Sequence, residues 1–353
     1  DYLAENAKYV CRFAGGANAG HTIVVDGKKY ALHQVPSGIL YPDKTVYLGS
    51  GMVIAPDALF SELQMLTENG IRWEGRVFIS DRAHIVLPCY REMDKKRDSE
   101  RRQPIGTTGR GIGTAYSQKS ERDGIRLAVL DWDDKMNTLD DADKDFLRPY
   151  IDRLLAMRVD IASEMWKNRT ENVLFEGAQG ALLDLDSGTY PFVSSGASCS
   201  AGAATGGGIG PRAIDKIYGV FKAYETRVGN GPMPTEFNTE TESELCEYVR
   251  NTGNEFGVTT GRARRCGYLD LVALRYACRV NSIDSLVLTH LDVYDAMESI
   301  EACVAYDIDG KTVTDFPACI PALNNAKPVL KKFDGWKQPL SDISSYADLP
   351  SAA

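Results

Sequence analysis

Five short segments of this 353-residue chain combine glycines and polar side chains in ways that suit nucleotide chemistry. Gly15-Gly16-Ala17-Asn18-Ala19-Gly20-His21-Thr22 sets small residues, which let a backbone approach an anion, beside an imidazole able to donate to a phosphate oxygen or carry a proton. Ile105-Gly106-Thr107-Thr108-Gly109-Arg110-Gly111-Ile112-Gly113 offers hydroxyls, backbone amides and a guanidinium in one loop, the ingredients of a phosphate cradle. In Phe175-Glu176-Gly177-Ala178-Gln179-Gly180, the Gln179 carboxamide presents a donor and an acceptor to a base or carbonyl. Val258-Thr259-Thr260-Gly261-Arg262-Ala263-Arg264-Arg265 gathers three arginines in four positions beside two threonines, a pattern suited to a carboxylate or phosphate. Asp292, in Leu288-Thr289-His290-Leu291-Asp292, can accept from the N1 and N2 hydrogens of guanine, a donor pair that adenine lacks. Singly, each segment also has an ordinary reading: a turn with a structural His, a flexible loop, a structural turn, a solvated basic turn, a helix-capping Asp.

These groups need elements to position them. Lys8 to Phe13 reads as a strand, followed by a hairpin over 22–32 with Asp26-Gly27 as its tight turn. Val46 to Ile54 reads as a strand, and a helix opening at Pro56 carries Leu59, Leu63 and Leu66 on one face. Arg76 to Ser80 and Asn172 to Phe175 are further strands. Glu92 to Arg102 is a solvated loop or helix end, and Phe146 to Trp166 one long amphipathic helix. Gly196 to Gly210 looks too flexible to be core without a ligand. Leu269 to Val280 is helical, and Ser285 to Leu288 a buried strand. Strands alternating with helices predict an α/β fold: a mainly parallel central sheet with helices on both faces, and small antiparallel hairpins. In such sheets ligands bind at the carboxyl ends of the strands, where the five segments fall.

Composition narrows the classes. Forty Lys and Arg against 49 Asp and Glu give a net charge of −9, which disfavours a nucleic-acid partner while leaving room for one nucleotide in a local cluster. No apolar run approaches the roughly 20 residues of a membrane span. Eight cysteines without a C-x-x-C pair predict reduced, buried thiols in a cytoplasmic enzyme. The chain opens on Asp1 and closes on Ser351-Ala352-Ala353, which reads as a single domain over 1–353 cut at both ends.

Taken in order, Asn18-Ala19-Gly20-His21-Thr22, Thr107-Thr108-Gly109-Arg110-Gly111-Ile112-Gly113, Phe175 to Gly180, Gly188-Thr189-Tyr190-Pro191-Phe192-Val193, Thr259-Thr260-Gly261-Arg262 and Leu291-Asp292-Val293 resemble the adenylosuccinate synthetase family along almost the whole chain. The resemblance implies a P-loop GTPase-like fold and a GTP- and Mg2+-dependent ligase. In that family IMP and L-aspartate become adenylosuccinate through a 6-phosphoryl-IMP intermediate, the first committed step of AMP synthesis. It implies His21 and Gln179 as catalytic residues. The IMP site would comprise Asn18, Ala19, Gly20, His21, Thr108, Gln179, Ser194 and Arg262, with Arg122 contributed across a homodimer interface. Val258, Thr259, Thr260, Gly261, Arg262, Ala263 and Arg264 would take aspartate. His21, Thr22, Arg264, His290, Leu291 and Asp292 would take GTP, and the Gly20 carbonyl would ligate Mg2+. His290 stands where the family usually has Lys, and Ser194 where it has Thr. The family's Gly-Asp-Glu-Gly-Lys-Gly-Lys phosphate loop and C-terminal tail are not in this sequence, so the chain as it stands is expected to be inactive. A phage-type dGMP–aspartate ligase and a non-catalytic purine-nucleotide-binding module are the alternatives.

Overall fold

The computed structural model describes residues 2–25, 27–257, 261 and 263–353. They form two compact units, Asp1–Asp215 and Lys216–Ala353. The first is built on a five-stranded sheet ordered Arg158–Val159, Val77–Ser80, Thr45–Leu48, Tyr9–Arg12, Val173–Glu176, every neighbouring pair parallel. Alternation along the strands feeds two cores. Val10, Val46 and Leu48 pack with Leu59, Leu63 and Leu66 of helix α1 (Pro56–Glu68), whereas Cys11 and Tyr47 pack with Ile161 and Met165 of the helix Ile161–Lys167. Helices therefore cover both faces, as a parallel sheet requires. The hairpin is present as His21–Val25 against Lys28–Leu32, although Asp26 of its turn lies outside the described residues. The charge-rich stretch belongs to helix α2 (Pro88–Glu100), and helix α3 (Ile112–Glu121) follows the Gly106–Gly111 loop.

Three readings of this unit are corrected. Residues 46–54 are not one strand: pairing stops at Leu48 and resumes at Val53–Ile54. A Cβ at Gly49 would sit 2.4 Å from the Gly206 carbonyl oxygen, and one at Gly51 would sit 2.2 Å from that of Phe13, so glycine makes this close passage. Residues 146–166 are not one helix. They include the end of Asp141–Leu147, then Ile151–Ala156, the edge strand Arg158–Val159 and most of Ile161–Lys167. Pro149 has no N–H to continue a helical ladder, and the N–H groups of Ile79 and Asp81 take Met157 and Val159 into the sheet. Lastly, the glycine-rich stretch contains a packed helix, Ala201–Gly207. Its small residues serve close approach: a Cβ at Gly206 would lie 2.0 Å from the Phe13 carbonyl oxygen.

In the second unit, Arg265–Asp270 pairs antiparallel with Tyr224–Arg227 and parallel with Ser299–Ile308, which in turn pairs antiparallel with Lys311–Val313 and Lys327–Asp334. The helix Leu271–Asn281 starts where Asp270 accepts from the N–H groups of Val272 and Ala273, both at 3.0 Å. Tyr218–Lys222 and Ser285–Thr289 form a separate parallel pair. The latter is the expected strand but not a buried one, since Leu286, Val287 and Leu288 are 39–46% exposed; among the described residues it pairs with one strand only. Five of the eight free cysteines are buried, Cys89 and Cys278 are half-buried, and Cys319 is exposed. Among the described residues no helix is long and apolar enough to cross a membrane.

Candidate active site

In the first unit the chemistry gathers at the carboxyl ends of Tyr9–Arg12 and Val173–Glu176. Arg12 and Glu176 are register partners at the last step of this ladder. Arg12 is only 2% exposed. Its Nη1 donates to the His33 carbonyl while its Nε is buried without a partner. Burial pulls the guanidinium below its ordinary pKa, although Glu176 and Glu62 favour its charge. Glu176 takes the N–H and hydroxyl of Ser37 at 2.9 and 2.5 Å on one oxygen, and its other oxygen lies 3.9 Å from His21 Nδ1. The His21 Nε2 is buried and unbonded, and burial, outweighing Glu176, pulls this imidazole below its usual value.

The loop after Tyr9–Arg12 is fixed by backbone bonds. Gly15 N–H donates to the Tyr116 hydroxyl at 3.0 Å, and that hydroxyl donates to the Gly51 carbonyl at 2.6 Å. Asn18 folds back so that its Oδ1 accepts from Gly16 N–H at 3.2 Å. Ala19 and Asn18 are half-buried, whereas Gly20 and Thr22 are exposed. Gln179 adopts a left-handed backbone (φ 63°) and lies against Gly15, where an added Cβ would be 3.3 Å from both of its amide atoms; its Nε2 is buried without a partner. Ser194 is held by its N–H to the Leu183 carbonyl at 2.7 Å, and neighbouring Ser195 and Gly196 pack on Gly113 and Tyr116 of α3. The segment carrying Ser194 hangs on one carboxylate. Asp184 accepts from the N–H groups of Asp186, Ser187, Ser198 and Cys199 at 2.7–3.0 Å. Burial opposes its ionisation, but those four bonds prevail and hold its pKa below the usual range.

The expected phosphate cradle is altered. The N–H groups of Ile105, Gly106 and Thr107 already bond the Asp98 carboxylate at 3.0–3.2 Å, and Asp94 takes the Thr107 hydroxyl and Gly111 N–H. The N–H groups of Ile105, Gly106, Thr107 and Gly111 are therefore spent on the chain's own carboxylates, and the loop offers the exposed Thr108 and the half-buried Arg110. Arg122 caps the far end of α3 in a left-handed conformation, exposed, with Nε on the Glu121 carbonyl at 3.4 Å. A cavity of about 330 Å³, lined by Lys8, Lys44, Glu171 and Asn172, opens at the amino ends of the strands and holds none of the sequence-derived candidates.

In the second unit, Arg264 donates to Glu255 at 2.6 Å, and Gly261 (φ 63°) donates its N–H to the Gly257 carbonyl. Ala263 is exposed and bridges Phe256. Val258, Thr259, Thr260 and Arg262 lie outside the described residues. His290 is exposed, with its ring edge-on to Tyr224 at 5.9 Å; half-buried Leu291 and exposed Asp292 follow in the short helix Leu291–Tyr294.

A sequence model of the adenylosuccinate synthetase family matches residues 1–144 and 137–353. The chain belongs to this family. Adenylosuccinate synthetase of Clostridium novyi (strain NT) is 46% identical over 380 residues, covering all of this chain and 88% of the relative. That of Synechococcus elongatus is 45% identical, covering 100% and 84%. Among solved structures, the fully ligated adenylosuccinate synthetase of Plasmodium falciparum superposes with a TM-score of 0.90 at 37% identity, covering 99% of this chain and 87% of that one. Cyanophage S-2L succinoaminodeoxyadenylate synthetase, bound to dGMP and dATP, gives 0.63 at 22%, covering 81% and 78%, a likeness of fold.

Within this adenylosuccinate synthetase fold, the first unit brings the Gly15–His21 loop, Gln179 and the Ser194 segment to α3 and the sheet end. Sequence reasoning passed over Arg12, Tyr116, Asp184 and Glu255. Each lies in or beside an ordinary-looking element, and only the fold reveals its partners.

Proposed function

We propose that these clusters are the substrate sites of a GTP-dependent IMP–L-aspartate ligase. Family membership supplies the reaction: IMP and L-aspartate are joined to adenylosuccinate on the way to AMP, with GTP converted to GDP and phosphate. The observation that carries the site assignment is the group of buried polar atoms without partners, Arg12 Nε, His21 Nε2 and Gln179 Nε2, at the ends of adjacent parallel strands and the loops leaving them. Buried donors left unbonded are costly, and a polar ligand satisfies them.

Asn18, Ala19, Gly20, Thr108, Gln179, Ser194 and Arg262 hold IMP in this reading, with Arg122 reaching it from a second subunit. Gln179 fixes the purine. His21 faces Glu176 through Nδ1, which leaves Nε2 for the phosphoryl group; the negative charge arriving there raises the imidazole pKa and makes Nε2–H a donor. The γ-phosphoryl group passes to the 6-oxygen of IMP with GDP leaving, and the aspartate amine then displaces phosphate from C6. Stabilising spread charge, rather than forming a covalent enzyme intermediate, is the demand of such a transfer. Val258 to Arg264 take the aspartate, and Thr22, Arg264, His290, Leu291 and Asp292 the GTP.

Mg2+ fits as the counter-ion of the GTP phosphates. The described residues contain no group of three or more His, Cys, Asp or Glu arranged to hold a metal, and the exposed Gly20 offers a single carbonyl. That suits an ion that keeps water and phosphate oxygens for most of its shell.

The test is substrate replacement in the complete gene product. With GTP, L-aspartate and Mg2+, IMP should yield adenylosuccinate with release of phosphate, whereas dGMP should yield nothing. Turnover of dGMP in place of IMP, or tight IMP binding without turnover, would replace this reading with one of the two alternatives.

A further inference from the structure

Glu255 is 1% exposed, yet it is a carboxylate, and three side chains converge on it. Lys222 Nζ donates to one oxygen at 2.5 Å and the Tyr224 hydroxyl donates to the same oxygen at 2.6 Å. Arg264 Nη1 donates to the other at 2.6 Å. The backbone repeats the attachment: Arg264 N–H bonds the Glu255 carbonyl at 2.9 Å, and the Arg264 carbonyl accepts from Arg250 Nε at 3.2 Å. Residue 264 is therefore fixed at its N–H, its carbonyl and its guanidinium. Burial works against the Glu255 charge, but Lys222, Tyr224 and Arg264 together keep its pKa below the ordinary value. Two cations share one anion, so the cluster keeps a net positive charge. The His290 ring lies 5.9 Å from that of Tyr224 at 73°.

A lone arginine in a surface loop samples many rotamers, and a substrate must order it on binding. One already tied through Nη1 presents its remaining donors in a set direction, so less is lost when the substrate arrives. We propose that Glu255 is a positioning residue of the ligase: its buried carboxylate sets Arg264 for the carboxylates of L-aspartate and keeps Lys222 beside it. The proposal rests on Arg264 being part of the aspartate clamp. Glu255 itself touches no substrate.

Kinetics of the complete gene product separate the two ideas. Glu255→Gln leaves the shape but puts an NH₂ against one cation, and should raise KM for L-aspartate by about tenfold while leaving KM for IMP within about twofold. Tyr224→Phe keeps the carboxylate and the ring while removing one hydrogen bond; it should shift KM for aspartate the same way by a few-fold, and it decides the matter if Glu255→Gln does not fold. A purely structural role would lower the melting temperature without this split between substrates. In an Arg264→Leu background, either change should add nothing further to the aspartate KM, because both act through the missing guanidinium. If Arg264→Leu leaves the aspartate KM unchanged, the clamp reading falls and the proposal with it. If Arg264→Leu raises it while Glu255→Gln and Tyr224→Phe do not, the clamp stands and the positioning role of Glu255 is wrong.

Discussion

Asp292 shows how a single carboxylate is assigned. It lies inside the short helix Leu291–Tyr294; the capping position belongs to His290, which makes no side-chain cap bond, so the capping reading of Asp292 is corrected. An exposed acceptor pair remains, matched to the N1–H and 2-amino group of guanine. Bonds to a charged partner are worth roughly 1.5–3 kcal/mol, so Asp292→Asn should weaken GTP by about tenfold to a hundredfold. Its new NH₂ faces the guanine amino group donor to donor, whereas xanthine carries oxygen there. KM values in the complete gene product should thus rise for GTP and fall for XTP, and an unchanged preference would reject the guanine role. Such candidates stand out in the sequence because glycines, hydroxyls and charges cluster locally around them. Arg12, Tyr116 and Glu255 were not. Their bonds run to residues 21, 101 and 31 positions away, to His33, Gly15 and Tyr224, and nothing local marks them.

At the scale of elements, both mobile-looking segments turn out to be fastened by carboxylates of the chain itself. Asp98 and Asp94 hold the Ile105–Gly111 loop, and Asp184 holds the stretch to Cys199 with four N–H bonds. Sequence patterning located four of the five strands of the first unit's sheet, because alternation and flanking glycines are local signals. In the second unit it found only Ser285–Leu288 and passed over Tyr224–Arg227, Arg265–Asp270, Ser299–Ile308 and Lys327–Asp334. It failed over 146–166, where an apolar helical period runs on through Pro149 while the sheet edge recruits Arg158–Val159. It also took glycines packed on Phe13 for slack. Asp184→Asn tests the fastener. The amide keeps one acceptor and sets its NH₂ against two N–H groups, which should destabilise the fold by about 2–3 kcal/mol at neutral pH. The sign with pH follows from the depressed pKa: the carboxylate's contribution is complete above the unfolded value of about 4 and is lost as pH falls through the lower folded value. Asn does not titrate. Urea unfolding should therefore show the gap between wild type and variant closing in acid, and a gap independent of pH would mean that Asp184 is not ionised in the fold.

At the scale of the whole molecule, the position of Arg122 bears on assembly. Helix α3 builds the IMP-site reading from its amino-terminal half, where Gly113 meets Ser195 and Tyr116 bonds Gly15. Arg122 follows the other end of this ten-residue helix, which is about 15 Å long, and is exposed there. Arg122 thus stands about a helix length from Gly113, and we propose that it serves the IMP site of a neighbour in a symmetric dimer, where each subunit gives what it receives. In the complete gene product, Arg122→Leu should raise the KM for IMP, and His21→Asn should abolish phosphoryl transfer. Mixed and allowed to exchange, the two variants form hybrid dimers in which the Arg122→Leu subunit keeps its own His21 and receives Arg122 from its partner. Half of a random mixture is hybrid with one of two sites intact, so at IMP concentrations well below the KM of the Arg122→Leu variant, where its own homodimers contribute little, recovery should reach about a quarter of the wild-type rate. Were Arg122 to act within its own subunit, every site in the mixture would lack one of the two residues. Exchange demonstrated by mass or fluorescence, together with no recovered activity, would sink the trans arrangement.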